Sequence, residues 1–315
     1  MNTKIVEYLS KIWLGDVQTF ENMTIFPVFV SESDEIEYIS LGEALEQKVV
    51  TITEIDQSGS VPNLKVINHS EQWILLLDGE EIVGAKQNRI LNTTILLDKK
   101  SELVIPVSCT EQGRWRYSSP EFFHSNVMMS HQARSMKSYS VYKSLLEGRG
   151  HSSDQRRVWS DIQKMQIKSG SFSQTQAMKD VYMAKDQELD QYIQTFESKP
   201  DQRGCLVFVN GQVMGLDVIS KEETYKQIHP QLIKSYAMEA LLENKETSSK
   251  VTMNDGKNFL EKARKSKELQ FKGVGIGKDY RYEVEDIFGS ALVFNEHVIH
   301  LTFFKNWETT ESDGG

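Results

Sequence analysis

A dense set of charged and amide side chains lies between apolar strands in the segment LLLDGEEIVGAKQNRILNTTILL, from Leu75 to Leu97. The turn formers Asp78-Gly79 and Gly84 interrupt the apolar runs, so the polar side chains are expected in loops or at strand ends, where several can converge. The candidate site residues of this segment are Glu80, Glu81, Lys86, Gln87, Asn88 and Arg89.

A second polar segment, EQGRWRY from Glu111 to Tyr117, follows the apolar strand LVIPVSC. Because each segment adjoins a strand of the same predicted sheet unit, we expect the two to face one cleft. Arginine pairs bidentately with phosphate, tryptophan stacks on planar rings, and amides such as Gln87 and Asn88 bind polar edges. The pattern therefore predicts a nucleotide-like ligand. Its phosphates would face Lys86, Arg89 and Arg114, and a ring would stack on Trp115.

The carboxylates of these segments are the candidates for catalysis. A loop carboxyl that apolar strands partly shield can hold its proton near neutral pH, so Glu80 or Glu81 is the predicted general acid or base, with Glu111 in reserve. Hydrolysis or transfer at a glycosidic or phosphate bond would suit such a group. Two alternatives remain: hairpin turns with surface ion pairs, or a non-catalytic regulatory or scaffolding protein in which the same residues bind a partner enzyme.

Composition limits the class of protein. The 315 residues include two cysteines, Cys109 and Cys205, in neither a redox nor a zinc spacing, which favours a reducing cytoplasm. The N-terminal sequence contains acids and no long apolar core, so neither a signal peptide nor a membrane anchor is expected. A net charge of −9 argues against generic binding to nucleic acid.

One segment departs from this acidic average. Residues 111–157 contain eight basic and four acidic side chains, and they could receive a compact anion. The alternative is a helix with a solvated basic face.

No cofactor or metal is assigned from motifs. Gly273, Gly275 and Gly277 form GVGIG, which lacks the spacing of a dinucleotide-binding loop. His297 and His300 are three apart in a predicted strand and would point to opposite faces.

The pattern of elements predicts an α+β protein. Short runs rich in β-branched and aromatic residues favour an N-terminal all-β, sandwich-like unit over residues 1–120 that carries the polar motifs. Apolar residues at three- and four-residue steps then predict two or three helices within 121–200. An α+β unit packed with the first should follow over 201–307, and a disordered polar tail over 308–315.

Two β-hairpins are predicted in the C-terminal part. Asn210-Gly211, between LVFV and QVMGLDVI, is the pair best suited to a two-residue type I′ turn. The second candidate is ALVFNEHVIHLTFF. Between them, residues 222–243 should be helical with a buried stripe, and Pro230 suggests a break.

The motifs GEEIVGAKQNR, LNTT and IPVSCTEQGRW resemble those of the ADP-ribosylglycohydrolase and rhodanese-phosphatase associated protein domain. The resemblance extends over most of the chain, through FENMTIFPVF, YISLGEALEQKVV, VFVNGQVMGLDVI and LIKSYAMEALL. It implies an association with pathways that consume NAD or process ADP-ribose. It thus supports a class of ligand, an NAD-derived or ADP-ribose-like nucleotide, and leaves the reaction open.

Overall fold

The computed structural model describes residues 3–31, 36–56, 61–243 and 250–305. Over these ranges the chain forms eight helices and eighteen strands, and the predicted α+β class is confirmed. The predicted tail 308–315 lies outside the described residues. The helices are α1 Thr3–Lys11, α2 Leu41–Glu46, α3 His131–Leu146, α4 Gln155–Ser169, α5 Met178–Ala184, α6 Asp186–Thr195, α7 Glu222–Leu242 and α8 Met253–Ala263.

The strands fall into an N-terminal and a C-terminal set. The first twelve are β1 Ile12–Leu14, β2 Gln18–Phe20, β3 Met23–Val30, β4 Tyr38–Ser40, β5 Val50–Glu54, β6 Asn63–Asn68, β7 Trp73–Leu76, β8 Glu80–Gly84, β9 Arg89–Leu91, β10 Ile95–Leu97, β11 Glu102–Cys109 and β12 Phe122–Met128. The last six are β13 Gly204–Val209, β14 Gln212–Ile219, β15 Lys267–Lys272, β16 Lys278–Val284, β17 Ile287–Phe294 and β18 His297–Lys305.

The chain divides into two compact units. Unit 1 is drawn from Met1–Ile36, Asp190–Gly273 and Gly277–Gly315. Unit 2 is drawn from Glu37–Leu189 and Val274–Ile276.

Unit 1 is built on one antiparallel sheet. Within the described residues the strand order is β1-β3-β13-β14-β18-β17-β16-β15, and β2 also pairs with β3. Strand β3 lies beside β13, with Phe26 opposite Leu206. Apolar side chains from these strands and from α1 and α8 form the core of the unit. The first strands of the chain therefore belong with the C-terminal sheet.

Both predicted hairpins are confirmed. Asn210 and Gly211, with φ angles of 49° and 74°, connect β13 to β14, and Val209 pairs with Gln212 across this two-residue turn. Positive φ at both central positions is the requirement of a type I′ turn. The second hairpin joins β17 and β18, and Asn295 and Glu296 also have positive φ angles.

The helix predicted over residues 222–243 forms as α7, but the break suggested by Pro230 is wrong. The helix runs through Pro230. Proline removes one backbone hydrogen bond, while the residues after it, including Leu232, Ile233 and Tyr236, are fully buried. Burial of this stripe outweighs the lost bond.

Unit 2 contains two sheets, β10-β7-β4 and β12-β8-β9-β11-β6-β5. Side chains from both sheets, among them Ile74, Ile95, Val66 and Ile105, share one core. This unit differs from the all-β unit predicted over residues 1–120, because β1 to β3 lie in unit 1 and helices α2 to α5 lie in unit 2. The Ser40 hydroxyl caps α2 by accepting from the Glu43 N–H.

The central segment contains four helices, α3 to α6, so the prediction of two or three is wrong in number. Gly170 ends α4 with a φ of 65°, and a single residue, Lys185, separates the end of α5 from the start of α6 at Asp186. No helix in the described part of the chain is long and apolar enough to cross a membrane.

Candidate functional site

Residues 85–88 of the first polar segment form the connection between β8 and β9. These strands pair antiparallel, with Ile82 opposite Arg89, so the residues between them fold back over the sheet. Gly84 makes this possible because its φ is 132° and a side chain there would lie 2.5 Å from the Glu121 carbonyl oxygen. Lys86, Gln87 and Asn88 are all nearly buried in the resulting loop.

The second polar segment lies against this loop. The Thr110 N–H donates to the Asn88 carbonyl at 3.0 Å, and the Asn88 N–H donates to Glu111 Oε2 at 3.2 Å. Arg114 donates to Asn88 Oδ1 at 3.0 Å and to the Ala85 carbonyl at 2.7 Å. The structure therefore brings the two polar segments together.

Every nitrogen of the Arg114 guanidinium hydrogen-bonds to the protein. Its Nε donates to Glu111 Oε2 at 2.8 Å, and the terminal nitrogens donate to carbonyls of residues 84, 85 and 116 and to the Ser118 hydroxyl. Such a set of contacts fixes the loop backbone around a paired charge.

Two half-exposed aromatic rings flank the Lys86 ammonium. Its Nζ lies 5.3 Å from the centroid of the Trp115 ring and 5.3 Å from that of the Tyr117 ring, within the range of cation–π attraction. Trp115 is 48% exposed and Tyr117 is 50% exposed, whereas Lys86 is 9% exposed. The two ring faces and the cation thus form an open aromatic patch over a buried floor.

A buried ion pair forms that floor. Arg89 has no exposed surface; its guanidinium carbon lies 5.8 Å from the Trp115 ring centroid, and NH2 lies 3.5 Å from Glu54 Oε1. Its NH1 donates to Gln87 Oε1 at 3.2 Å. Arg89 Nε and Glu54 Oε2 are buried without a hydrogen-bond partner among the described residues. Polar atoms of this kind are matched by water or a ligand in most proteins.

Glu54 is the site residue that sequence reasoning missed. It ends the strand VTITE, where its neighbours alternate between buried and half-buried positions, and nothing in that pattern distinguishes a buried carboxylate from a solvated one. Only its position opposite Arg89 reveals its role.

Glu81 lies fully buried within β8, an interior strand of its sheet, and not in the loop expected from the sequence. Its Oε1 accepts from the Thr110 hydroxyl at 2.6 Å. Burial raises the pKa of Glu81 from 4.5 to about 8, against the lowering effects of hydrogen bonds from Thr110 and Ser125 and the charge of Lys179. At neutral pH this carboxyl therefore holds a proton.

Glu80 has a different environment, because alternate residues of a strand face opposite sides. Its Oε2 accepts from the Leu77 N–H at 2.7 Å, and its Oε1 lies 3.3 Å from His124 Nε2. Burial alone would lower the pKa of His124, but the hydrogen bond and charge of Glu80, with help from Asn126 and Glu46, raise it above 6.5. Glu80 and His124 thus form an ion pair when the imidazole is protonated.

Part of the basic segment is buried rather than solvated. Lys137 has 1% exposure, pairs with Asp78, and donates to the carbonyls of Leu91 and Asn92 at 2.7 and 3.2 Å. The positive charge of Lys137 is therefore paired with Asp78 inside unit 2.

Cys109 is the last residue of β11, the strand that leads into the second polar segment. The side chain of Gln155 accepts from its N–H at 2.7 Å and donates to its carbonyl at 2.9 Å, so α4 is tied to the strand. Burial raises the pKa of the Cys109 thiol to about 11, which disfavours the thiolate needed by a nucleophile. Over the described ranges, no group of three or more His, Cys, Asp or Glu side chains is arranged to hold a metal ion.

Comparison with known proteins agrees with the motifs. A family model described as the ARG and Rhodanese-Phosphatase-superfamily-associated Protein domain matches residues 11–304. No curated protein matches the chain, and no solved structure does. The match includes both polar segments and nearly all elements of the two units. The chain therefore belongs to the ARG and Rhodanese-Phosphatase-superfamily-associated Protein domain family.

Proposed function

We propose that the protein binds an NAD-derived or ADP-ribose-like nucleotide at the aromatic patch formed by Lys86, Trp115 and Tyr117, and acts in NAD-linked metabolism or its regulation. The observation that supports this most directly is the Lys86 ammonium held 5.3 Å from two half-exposed rings. The family name, which refers to ADP-ribosylglycohydrolase, supports the class of ligand.

The patch supplies the contacts that a nucleotide needs. The base stacks on Trp115, and Lys86 turns from the ring face to a phosphate oxygen, exchanging a cation–π contact for a charge-assisted hydrogen bond. In this proposal Gln87 binds a polar edge of the ligand, and Arg89 adds positive potential from the floor. Arg114 has a different role from the phosphate contact expected from the sequence: it holds the loop that carries Lys86.

The second part of the proposal is that the protein also processes the ligand. In this reaction Glu81 is the general acid, the group that gives a proton to the leaving oxygen. In hydrolysis of a glycosidic or phosphate bond, water adds across the bond, the leaving oxygen takes the Glu81 proton, and the carboxylate recovers a proton from the attacking water. The support is a carboxyl that is protonated at neutral pH and linked through Thr110 to the segment containing Glu111. Glu80 is assigned to the ion pair with His124.

Binding is tested by calorimetry with ADP-ribose and NAD on the parent protein, on Lys86→Met and on Trp115→Ala. We expect each variant to bind at least about tenfold more weakly, the effect of losing a charge-assisted hydrogen bond or a stacked ring. Lys99→Met is the matched control, because Lys99 Nζ also lies over a tryptophan ring, 4.5 Å from that of Trp73, outside the patch. It should bind like the parent protein.

The rival role is that of a regulatory or scaffolding protein acting through a partner enzyme. The family name describes association with other proteins, so a partner protein fits that role. If the parent protein binds none of the nucleotides, and Trp115→Ala abolishes binding of a partner protein, the nucleotide proposal is contradicted.

We also propose a cytoplasmic location, which the free thiols of Cys109 and Cys205 support.

A further inference from the structure

The aromatic patch already holds one organic cation, the ammonium of Lys86. Its Nζ lies 5.3 Å from the centroid of the Trp115 ring and 5.3 Å from that of the Tyr117 ring. Both rings are half exposed, so a ligand can reach them from solvent. The face of an aromatic ring carries a negative quadrupole, which attracts cations in general. The two rings therefore favour a positively charged occupant.

The backbone that carries the two rings is fixed to the loop between β8 and β9. Arg114 donates to the Arg116 carbonyl at 3.0 Å and to the Ser118 hydroxyl at 3.0 Å, on either side of Tyr117. The Ser118 N–H donates to the Ala85 carbonyl at 2.9 Å. Because these contacts hold the chain before and after Tyr117, we expect the backbone under the rings to stay in place when the flexible lysine side chain moves.

The charges around the patch restrict the kind of ligand that can bring a cation to it. Arg89 and Arg114 are paired with the carboxylates of Glu54 and Glu111. A second cation that joined Lys86 at the rings would be repelled by the ammonium. A cationic ring is favoured there only when Lys86 moves its charge to an anionic group of the same ligand. The ligand must therefore carry both a cationic ring and a phosphate.

We propose that the base bound at the patch is the pyridinium ring of an oxidised nicotinamide nucleotide. Lys86 turns to a phosphate oxygen, as in the proposed function, and the pyridinium ring takes over its cation–π contacts with Trp115 and Tyr117. No covalent bond is made or broken in this step. The inference rests on the proposed function and narrows its ligand from NAD-derived nucleotides in general to those with a positively charged ring.

The first test compares NAD⁺ with NADH by calorimetry on the whole protein. The nicotinamide ring is cationic in NAD⁺ and neutral in NADH. NAD⁺ should bind at least about fivefold more tightly, the effect of cation–π contacts with two partly exposed rings. Attraction to the nearby arginines alone would give the opposite order of affinity, because NADH carries the larger negative charge.

Tyr117→Leu removes one ring and keeps an apolar side chain, so it should reduce the preference for NAD⁺ over NADH at least about twofold. Tyr117 is half exposed, and the melting temperature of this variant should stay close to that of the parent protein. Tyr139→Leu is the matched control. Lys143 Nζ lies 4.4 Å from the centroid of the Tyr139 ring, but this tyrosine is in α3, outside the patch. Its variant should prefer NAD⁺ as the parent protein does.

A second test uses 1-methylnicotinamide, a pyridinium cation without phosphates. On the parent protein this probe competes with the Lys86 ammonium, which gains no phosphate contact in return. Lys86→Ala removes the competitor, so it should bind the probe at least about fivefold more tightly than the parent protein does. The same variant should bind ADP-ribose more weakly, because a phosphate contact is lost. NMR titration of the Trp115 indole resonance measures the affinity for the probe.

The results that contradict this inference differ from those that contradict the proposed function. If neither ADP-ribose nor NAD⁺ binds, the proposed function is wrong and the inference is wrong with it. The inference alone is overturned if ADP-ribose binds but NADH binds as tightly as NAD⁺, if Tyr117→Leu leaves the preference unchanged, or if Lys86→Ala gains no affinity for 1-methylnicotinamide.

Discussion

Arg114 donates a hydrogen bond to Asn88 Oδ1 at 3.0 Å, and this contact joins two polar segments that are separate in the sequence. Its partner Glu111 completes the connection by accepting from both the Arg114 side chain and the Asn88 backbone. The loop that carries Lys86 is therefore held by a side chain from the other segment.

Arg114→Ala should destabilise the protein strongly. Truncation leaves the nearly buried Glu111 carboxylate unpaired and removes the donor to several carbonyls, so we expect a loss of about 3 to 5 kcal/mol in the free energy of unfolding. Urea denaturation measures this loss. Arg116→Ala, an exposed neighbour, is the control and should change stability by less than about 0.5 kcal/mol. Equal stability of the two variants would contradict a positioning role for Arg114.

Glu81→Gln should change the pH dependence of stability. The folded protein holds the Glu81 proton up to a pKa of about 8, whereas the ordinary value is 4.5, so the free energy of unfolding falls as the pH rises between these values. Glutamine has no proton to lose. The free energy of unfolding of Glu81→Gln, minus that of the parent protein, should therefore increase by up to about 1.4 kcal/mol per pH unit across this interval.

Urea denaturation at several pH values between 5 and 8 checks this expectation. Glu121→Gln is the control, because Glu121 is exposed and its variant should track the parent protein at each pH. A Glu81→Gln variant whose difference from the parent protein does not vary with pH would show that Glu81 ionises normally.

Glu80→Gln should lower the pKa of His124. The carboxylate of Glu80 is what raises this pKa above 6.5, and without its charge the effect of burial is opposed only by Asn126 and Glu46. NMR titration of the imidazole resonances measures the shift, with the resonances of the exposed His69 as an internal reference.

The same pair makes stability depend on pH. Because the folded pKa of His124 is raised, its contribution is complete below pH 6.5 and is lost as the pH rises through the folded value. His124→Gln should therefore cost more stability at pH 6 than at pH 9. A cost that is the same at both values would rule out the charged pair.

Gly84→Ala should distort the Lys86 loop. Its φ of 132° is unfavourable for other residues, and a Cβ atom would lie 2.5 Å from the Glu121 carbonyl oxygen, so we expect a loss of about 2 to 3 kcal/mol. Gly148→Ala is the matched control: its φ is 71°, but nothing lies within 4 Å of the added atom. It should cost about 1 kcal/mol, the effect of backbone conformation alone. If denaturation curves show equal losses of stability in the two variants, the atoms around Gly84 move away from the added Cβ without a cost in free energy.

Local features of the fold could be predicted from the sequence. Asn210-Gly211 specifies its own turn because both residues tolerate positive φ, and the stripe of α7 follows from helical spacing. The break at Pro230 was wrong, since the rule describes a local hydrogen bond and takes no account of the buried side chains that follow.

Long-range partners could not be predicted in the same way. Nothing in the sequence near Glu54 indicates Arg89, and nothing near Lys137 indicates Asp78, because these pairs are formed only when separate strands and helices meet. Sequence reasoning therefore found the polar segments that meet in unit 2 but missed the carboxylate beneath them. It also could not assign the first strands to the sheet of the C-terminal region.

The pairing of β3 with β13 has a consequence for synthesis on the ribosome. Strand β3 emerges early, but its partner follows only after nearly all of unit 2 has been made. Unit 2 can begin to fold first, because it is continuous in sequence except for three residues. Until β13 is synthesised, the edge of the apolar strand β3 that pairs with it has no hydrogen-bonding partner. A chaperone that shields apolar nascent chain would thus be needed most at the start of this protein, and release would come when the Asn210-Gly211 hairpin leaves the ribosome.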